Sequence, residues 1–274
     1  MLLNENFLLL DLFLMNPIQK FWWYFRGLIL FILYVLLNVF LVVFTLPFLF
    51  CSRNIRAKVI SKALRLVLWI VFDKGISSFG GYNISVKGKE NIREGGAIYI
   101  CNHASLFDPF WAMTYIPNAG VLIKSKYAKI MAIWYLVKVF DFIAIDSLSP
   151  SALAPVVEQA QRSLSNGRNL LIFPEGTRTM SGRLGDFKSL AFKLSKKTGA
   201  PIVPMTICSD VPFFAKFQKT IIPEEFAHLT VEFLPTLNPN DFRDDKTMLA
   251  SAHRIISKNL RGRLFEKTCN NLEK

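Results

Sequence analysis

Cysteine is sparse and unpatterned in this sequence. Cys51, Cys101, Cys208 and Cys269 lie far apart, with no CxxC pair and no histidine at ligand spacing. That argues against a disulfide framework or a zinc ribbon and for free thiols in a reducing compartment. There is no HExxH and no other credible metal site, and neither a P-loop nor a GxGxxG occurs, which argues against nucleotide hydrolysis and a dinucleotide cofactor. No GxSxG elbow is present to expose a nucleophilic serine. After residue 80 there is no internal repeat, low-complexity tract or long linker. Charged residues are only 19 % of the chain, against 52 % hydrophobic ones, and acidic residues are the scarcer kind. Asp plus Glu number 20 against 33 Lys plus Arg, a net +13. Such an excess suits nucleic acid, an anionic membrane surface or an acidic small substrate.

What is abundant is apolar sequence near the N-terminus. Gly27 to Phe50 holds 24 residues without a charge, which as one helix would be about 36 Å long, enough for a hydrocarbon core of roughly 30 Å. Trp22, Trp23 and Tyr24 precede it as an interfacial belt would. Glu5 and Asp11, with no basic residue in the first fifteen, speak against a signal peptide. Residues 6–15 and the helix-like stretch Ile55 to Phe72 are also apolar-rich, so the region reads either as one span or as a shallow hairpin or interfacial pair. Lys20 and Arg26 before the segment, against Arg53, Arg56, Lys58, Lys62 and Arg65 after it, put the C-terminal bulk on the cytoplasmic side.

Downstream, strand-like and helix-like stretches alternate. The strand candidates are residues 97–101, 119–123, 142–145, 169–173, 201–207 and 229–234. The helical ones are 108–116, Ser151 to Asn166 stopping at Gly167, Lys188 to Lys197, and Asp244 to Lys267. The pattern predicts an α/β fold, a mixed, largely parallel sheet flanked by helices, with functional groups on loops at strand ends.

Two of those loops carry chemistry. In "CNHASLFDPF" (101–110), His103 and Asp108 stand five positions apart directly after an apolar strand. Imidazole suits proton abstraction near neutral pH, and a carboxylate can fix its tautomer and stabilise its charged form. Asp108 ahead of Pro109 is also a good helix N-cap, and taken alone this pair reads more readily as a polar turn than as a catalytic pair. A His–Asp pair without its own nucleophile suits a substrate that brings one, such as an alcohol, and so a transferase. The second loop is "FPEGTR" (173–178). Arg178 offers a fork of donors for phosphate or carboxylate, Gly176 permits close backbone approach, Thr177 adds a hydroxyl, and Glu175 would bond a polyol or pair with Arg178. In a parallel sheet both loops share the C-terminal edge, where ligands bind, and Lys124 and Lys126 follow a third strand there. His228 and His253 have no telling neighbours and read as surface or packing residues.

"NHASLFD" and "FPEGTR" resemble the first and third signature blocks of the glycerolipid acyltransferase family that includes the 1-acyl-glycerol-3-phosphate acyltransferases. "GAPIVPMTI" (199–207) is similar to the fourth, and "ISVKGKENI" (84–92) resembles the strand before the first, the likeness running from about Ser85 to Pro235. The resemblance implies an N-terminal membrane-anchoring helical region (1–74), a cytoplasm-facing α/β acyltransferase domain (75–274), and a membrane location of the bacterial inner-membrane type. It implies that His103, oriented by Asp108, takes the proton of an acceptor hydroxyl, which attacks the thioester of acyl-CoA or acyl-carrier protein. Asn102, Lys124, Lys126, Glu175, Gly176, Thr177 and Arg178 would bind substrate. The implied partners are membrane lipids and lysophosphatidic acid or a related lyso-lipid; no metal, cofactor or nucleic acid is called for.

One departure bears on the acceptor. Where the family's second block has a glycine and an arginine around its strand, this chain has Asp141 and Ser147. A missing guanidinium leaves open a lyso-aminolipid, such as a lyso-ornithine lipid, or a lysophospholipid as acceptor. A non-catalytic, membrane-tethered protein binding anionic lipid is the reading from another class.

Overall fold

The computed structural model describes residues 16–272 except 51–52, 80, 130–133, 135–136, 138–139, 141, 147–149, 180–183 and 211–226. Asp141 and Ser147, and the apolar stretch 6–15, lie outside the described residues.

The chain enters through α1 (Pro17–Thr45). A reciprocal cap opens it: the Asn16 side chain accepts from the Gln19 amide at 2.8 Å and the Gln19 side chain accepts from the Asn16 amide at 3.1 Å, with Pro17 as first helical residue. Of the two readings of Gly27 to Phe50, the single straight helix does not form. α1 ends at Thr45, Pro47–Phe50 is a 3-10 turn, and the chain turns back into α2 (Arg53–Leu68). Pro47 cannot donate to the α-helical ladder, so its charge-free helical part is about 28 Å long, short of a roughly 30 Å hydrocarbon core. Among the described residues no helix is long and apolar enough to cross a membrane.

A π-helical turn, Trp69–Gly75, then fastens this hairpin to the rest. Phe72 is buried and its ring lies 5.7 Å from Phe107, 5.6 Å from Phe110 and 5.2 Å from Trp111. Phe110 and Trp111 sit on α3 (Asp108–Tyr115), the helix that follows His103.

Among the described residues seven strands form one sheet: β1 (Tyr82–Lys87), β2 (Ile98–Cys101), β3 (Ala119–Lys124), β4 (Ile143–Ile145), β5 (Asn169–Ile172), β6 (Ile202–Ser209) and β7 (Ala227–Phe233). Their order is β1-β7-β6-β2-β5-β3-β4. Among these described strands the β6–β7 pairing is antiparallel and the other five are parallel, so the sheet is mixed and largely parallel, as the alternating pattern predicts. All residues of β2 and β5 are buried, which explains their unbroken apolar runs. Tyr99 and Cys101 join the core under α2, α3 and the π turn, whereas Ile98 and Ile100 face the core under α4 (Pro150–Ser165), α5 (Leu190–Thr198) and α6 (Asp245–Leu272). Thus α2, the π turn and α3 cover one face of the sheet, and α4–α6 the other.

Candidate functional site

β2, β5 and β3 are adjacent parallel strands, so the loops after Cys101, after Ile172 and at Lys124 meet at one edge of the sheet. In the first loop, His103 Nδ1 lies 3.0 Å from Asp108 Oδ2. That same oxygen accepts the backbone N–H groups of Ala104 and Ser105, each at 2.7 Å. Asp108 is not the N-cap suggested by its place before Pro109. Phe107 occupies that position, Asp108 is the first residue of α3, and its carboxylate turns back into the loop. The Ser105 hydroxyl supports the turn by accepting from the Phe107 amide at 3.0 Å.

Only 3 % of the Asp108 side chain is exposed, against 18 % of the imidazole. A buried carboxylate on Nδ1 keeps the proton there and leaves the Nε2 lone pair as the basic atom. The Phe173 ring, 4.3 Å away and tilted by 30°, packs on the imidazole from the second loop.

That second loop is tied to the first by Glu175. Its buried carboxylate accepts the His103 amide on Oε1 at 3.0 Å. Oε2 accepts the Gly185 amide at 2.8 Å and the Thr179 hydroxyl. The Thr179 amide donates in return to the His103 carbonyl at 2.7 Å. Its oxygens thus tie the two loops together, and no ion pair between Glu175 and Arg178 forms among the described residues. Gly176 has φ +69°, the left-handed region that favours glycine. A Cβ on Gly185 would sit 2.9 Å from Glu175 Oε2, so the close approach of that segment needs glycine as well. Glu175→Gln would turn an amide donor toward donors already in place. A loss of roughly 2–3 kcal/mol is expected, read as a lower thermal midpoint together with reduced activity.

Asn102 is also a framework residue. It is buried, its Oδ1 accepts the Ile207 amide at 2.9 Å, and its Nδ2 donates to the Ile207 carbonyl at 2.9 Å, clamping β2 to β6. In the second loop Thr177 is exposed and Arg178 partly so. Lys124 is the exposed last residue of β3 on the same edge, and the exposed Lys126 lies with its Nζ 5.0 Å from the centre of the Tyr127 ring. Of the other histidines, His228 is exposed, and His253 packs edge-on to Phe187 at 4.8 Å.

Two chemical exclusions follow from the same contacts. The amides of His103, Ala104 and Ser105 already donate to carboxylates, so an oxyanion must find donors elsewhere. Cys101 is fully buried, and burial first, then the charges of Asp108 and Glu175, push its thiol well above its ordinary range. It stays protonated and is no competing nucleophile. No metal-binding cluster of His, Cys, Asp and Glu occurs among the described residues.

Among the described residues no nucleophilic side chain is hydrogen-bonded to the His103 imidazole, and a His–Asp pair of this kind at the C-terminal edge of parallel strands suits group transfer to a substrate hydroxyl. Known proteins agree with that class. A family model described as acyltransferase matches residues 83–208. The 1-acyl-sn-glycerol-3-phosphate acyltransferase of Cocos nucifera is 34 % identical over 66 % of this chain and 56 % of its own length. That of Limnanthes douglasii is 32 % identical over 71 % and 66 %, so the match spans less than two-thirds of either relative. A probable enzyme of the same name from Mycoplasma pneumoniae is 28 % identical over 72 % of this chain and 76 % of its own. The crystal structure of the 1-acyl-sn-glycerophosphate acyltransferase PlsC of Thermotoga maritima superposes with a TM-score of 0.72 over 89 % of this chain and 97 % of that one, at 21 % identity, and so shares the fold. The chain belongs to the acyltransferase family that includes the 1-acyl-sn-glycerol-3-phosphate acyltransferases.

Proposed function

We propose that this chain transfers a fatty acyl group from a thioester, acyl-CoA or acyl-carrier protein, to the sn-2 hydroxyl of 1-acyl-glycerol-3-phosphate, giving phosphatidic acid. The observation that carries this reading is the His103–Asp108 contact at 3.0 Å, which suits Nε2 to act as the base. Nε2 takes the proton of the acceptor hydroxyl as its oxygen attacks the thioester carbonyl carbon. The new C–O bond forms, the C–S bond breaks, and the thiolate recovers the proton from the imidazolium. Asp108 holds the ring and offsets the transient positive charge. Arg178 and Lys124, cations at the same C-terminal edge of the sheet, suit the acceptor phosphate, while Asn102 and Glu175 position the loops.

The test is acyl transfer by the purified full-length chain from a labelled thioester, offered lysophosphatidic acid, a lyso-ornithine lipid and a lysophospholipid in parallel. Fastest product formation on lysophosphatidic acid is expected. Preference for another lyso-lipid would reassign the acceptor, and no thioester consumption with any of them would refute the reading.

The same proposal places the protein on a membrane surface, its α/β domain on the cytoplasmic side. What supports this is the apolar surface of α1, where Phe21, Phe31, Leu36 and Val43 are each about 60 % exposed, followed on α2 by the exposed cations Lys62 and Arg65. Leu106, inside the HxxxxD loop, is exposed too, which suits a catalytic loop that meets lipid. Replacing Phe31 and Leu36 together by aspartate is expected to weaken sedimentation with anionic vesicles by about tenfold or more, each side chain contributing roughly 1.5–3 kcal/mol when buried. Unchanged sedimentation would count against the membrane seat.

A further inference from the structure

On the face of the sheet away from α1 and α2, a groove of about 1080 Å³ runs between α6 and the segment around Asp186 and Phe187. Phe187 and Leu249 form its apolar floor. Arg254, Lys258 and Arg261, spaced one helical turn apart on α6, line it with exposed cationic side chains, and Asp186 is the acidic residue on its wall. No ion pair to Arg254, Lys258 or Arg261 forms among the described residues. Two hydrogen bonds connect the chain beside the groove wall to the His103 loop. Gly185, next to Asp186, donates to the Glu175 carboxylate, whose other oxygen accepts the His103 amide.

We infer that this groove binds the phosphate-bearing nucleotide end of a coenzyme A thioester. The inference rests on the acyl-transfer reading above and adds to it the donor class and its seat. Three considerations lead to it. Three cations at one-turn spacing, with a single carboxylate nearby, match a compact polyanion, and guanidinium forks in particular match phosphate. The large exposed apolar side chains among the described residues lie at or before Trp134, none of them on α4–α6. The groove therefore opens on the polar side, where a water-borne donor arrives while a lipid acceptor arrives beside α1 and α2. Its volume is that of a small-molecule cleft, and its apolar floor suits a nucleobase better than the broad flat contact of a carrier protein.

The test uses the full-length chain and the charge-reversing variant Lys258→Glu, with Arg254→Ala as a milder second variant. The KM for acyl-CoA should rise by about tenfold or more in Lys258→Glu, and less in Arg254→Ala. The KM for the lyso-lipid acceptor and turnover from acyl-pantetheine, which lacks the nucleotide, should stay at the unmodified protein's values. An unchanged KM for acyl-CoA, an equal loss with acyl-pantetheine, or a loss confined to acyl-carrier protein would each overturn the inference. Calorimetric titration with desulfo-coenzyme A separates this outcome from failure of the acyl-transfer reading. Binding by the unmodified chain, weakened about tenfold in Lys258→Glu, supports the groove even where no thioester is consumed; no binding by the unmodified chain refutes it.

Discussion

His103→Ala is expected to lower acyl transfer by roughly 10²–10⁴-fold, the usual contribution of a positioned general base, with the fold intact. The links that join the two active-site loops at this position run through the backbone: the His103 amide donates to Glu175 and its carbonyl accepts from Thr179. Alanine keeps both. What it removes is Nε2 and the ring packed on Phe173. The check is turnover from a labelled thioester together with the thermal midpoint of the variant. Loss of activity with a near-normal midpoint is the predicted combination, and undiminished turnover in folded protein would remove His103 from the chemistry.

Asp108→Asn is expected to cost about 3–4 kcal/mol in the transition state, the scale of two unit charges roughly 4 Å apart in a partly shielded site, or roughly 10²–10³-fold in rate. The reasoning turns on one oxygen. Asp108 Oδ2 alone accepts His103 Nδ1 and the amides of Ala104 and Ser105, so an asparagine placing its carbonyl oxygen there preserves the loop and loses only the negative charge that offsets the imidazolium. Asp108→Ala removes the acceptor as well, stranding two amides at a buried site, and should add a stability loss of roughly 2 kcal/mol to the kinetic one. Rates and thermal midpoints measured side by side on the two variants separate charge from framework. Equal midpoints for both would show that the loop does not depend on this carboxylate.

Much of this was legible in residues met one after another. The apolar runs before "NHASLFD" and "FPEGTR" are strands β2 and β5, and the alternation of elements led to a mixed, largely parallel sheet. Roles inside the loops were less legible. Glu175 and His103 are 72 positions apart and touch only because β2 and β5 are neighbours, a fact of strand order that no local pattern contains. The same holds for Asn102, whose amide is used by Ile207 on β6, and for Gly185, whose smallness matters only because Glu175 lies beside it. At the N-terminus, hydropathy registered the apolar run but not its geometry. The Asn16–Gln19 cap around Pro17 starts the helix ten residues before the run, and Pro47 stops it before the run ends. Both signals stand in the sequence, although average apolarity over a window passes over them.

The central claim is that His103 acts as general base while the acyl group passes directly from thioester to lipid hydroxyl, with no acyl-enzyme between. A single-turnover experiment with labelled acyl thioester and an excess of purified full-length protein tests it most directly. Without acceptor, the account predicts that the label remains in the thioester; on adding lysophosphatidic acid it appears in the lipid ester at the rate the free thiol is released. Label retained on the protein, or thiol released in step with labelled fatty acid before any acceptor is present, would contradict it.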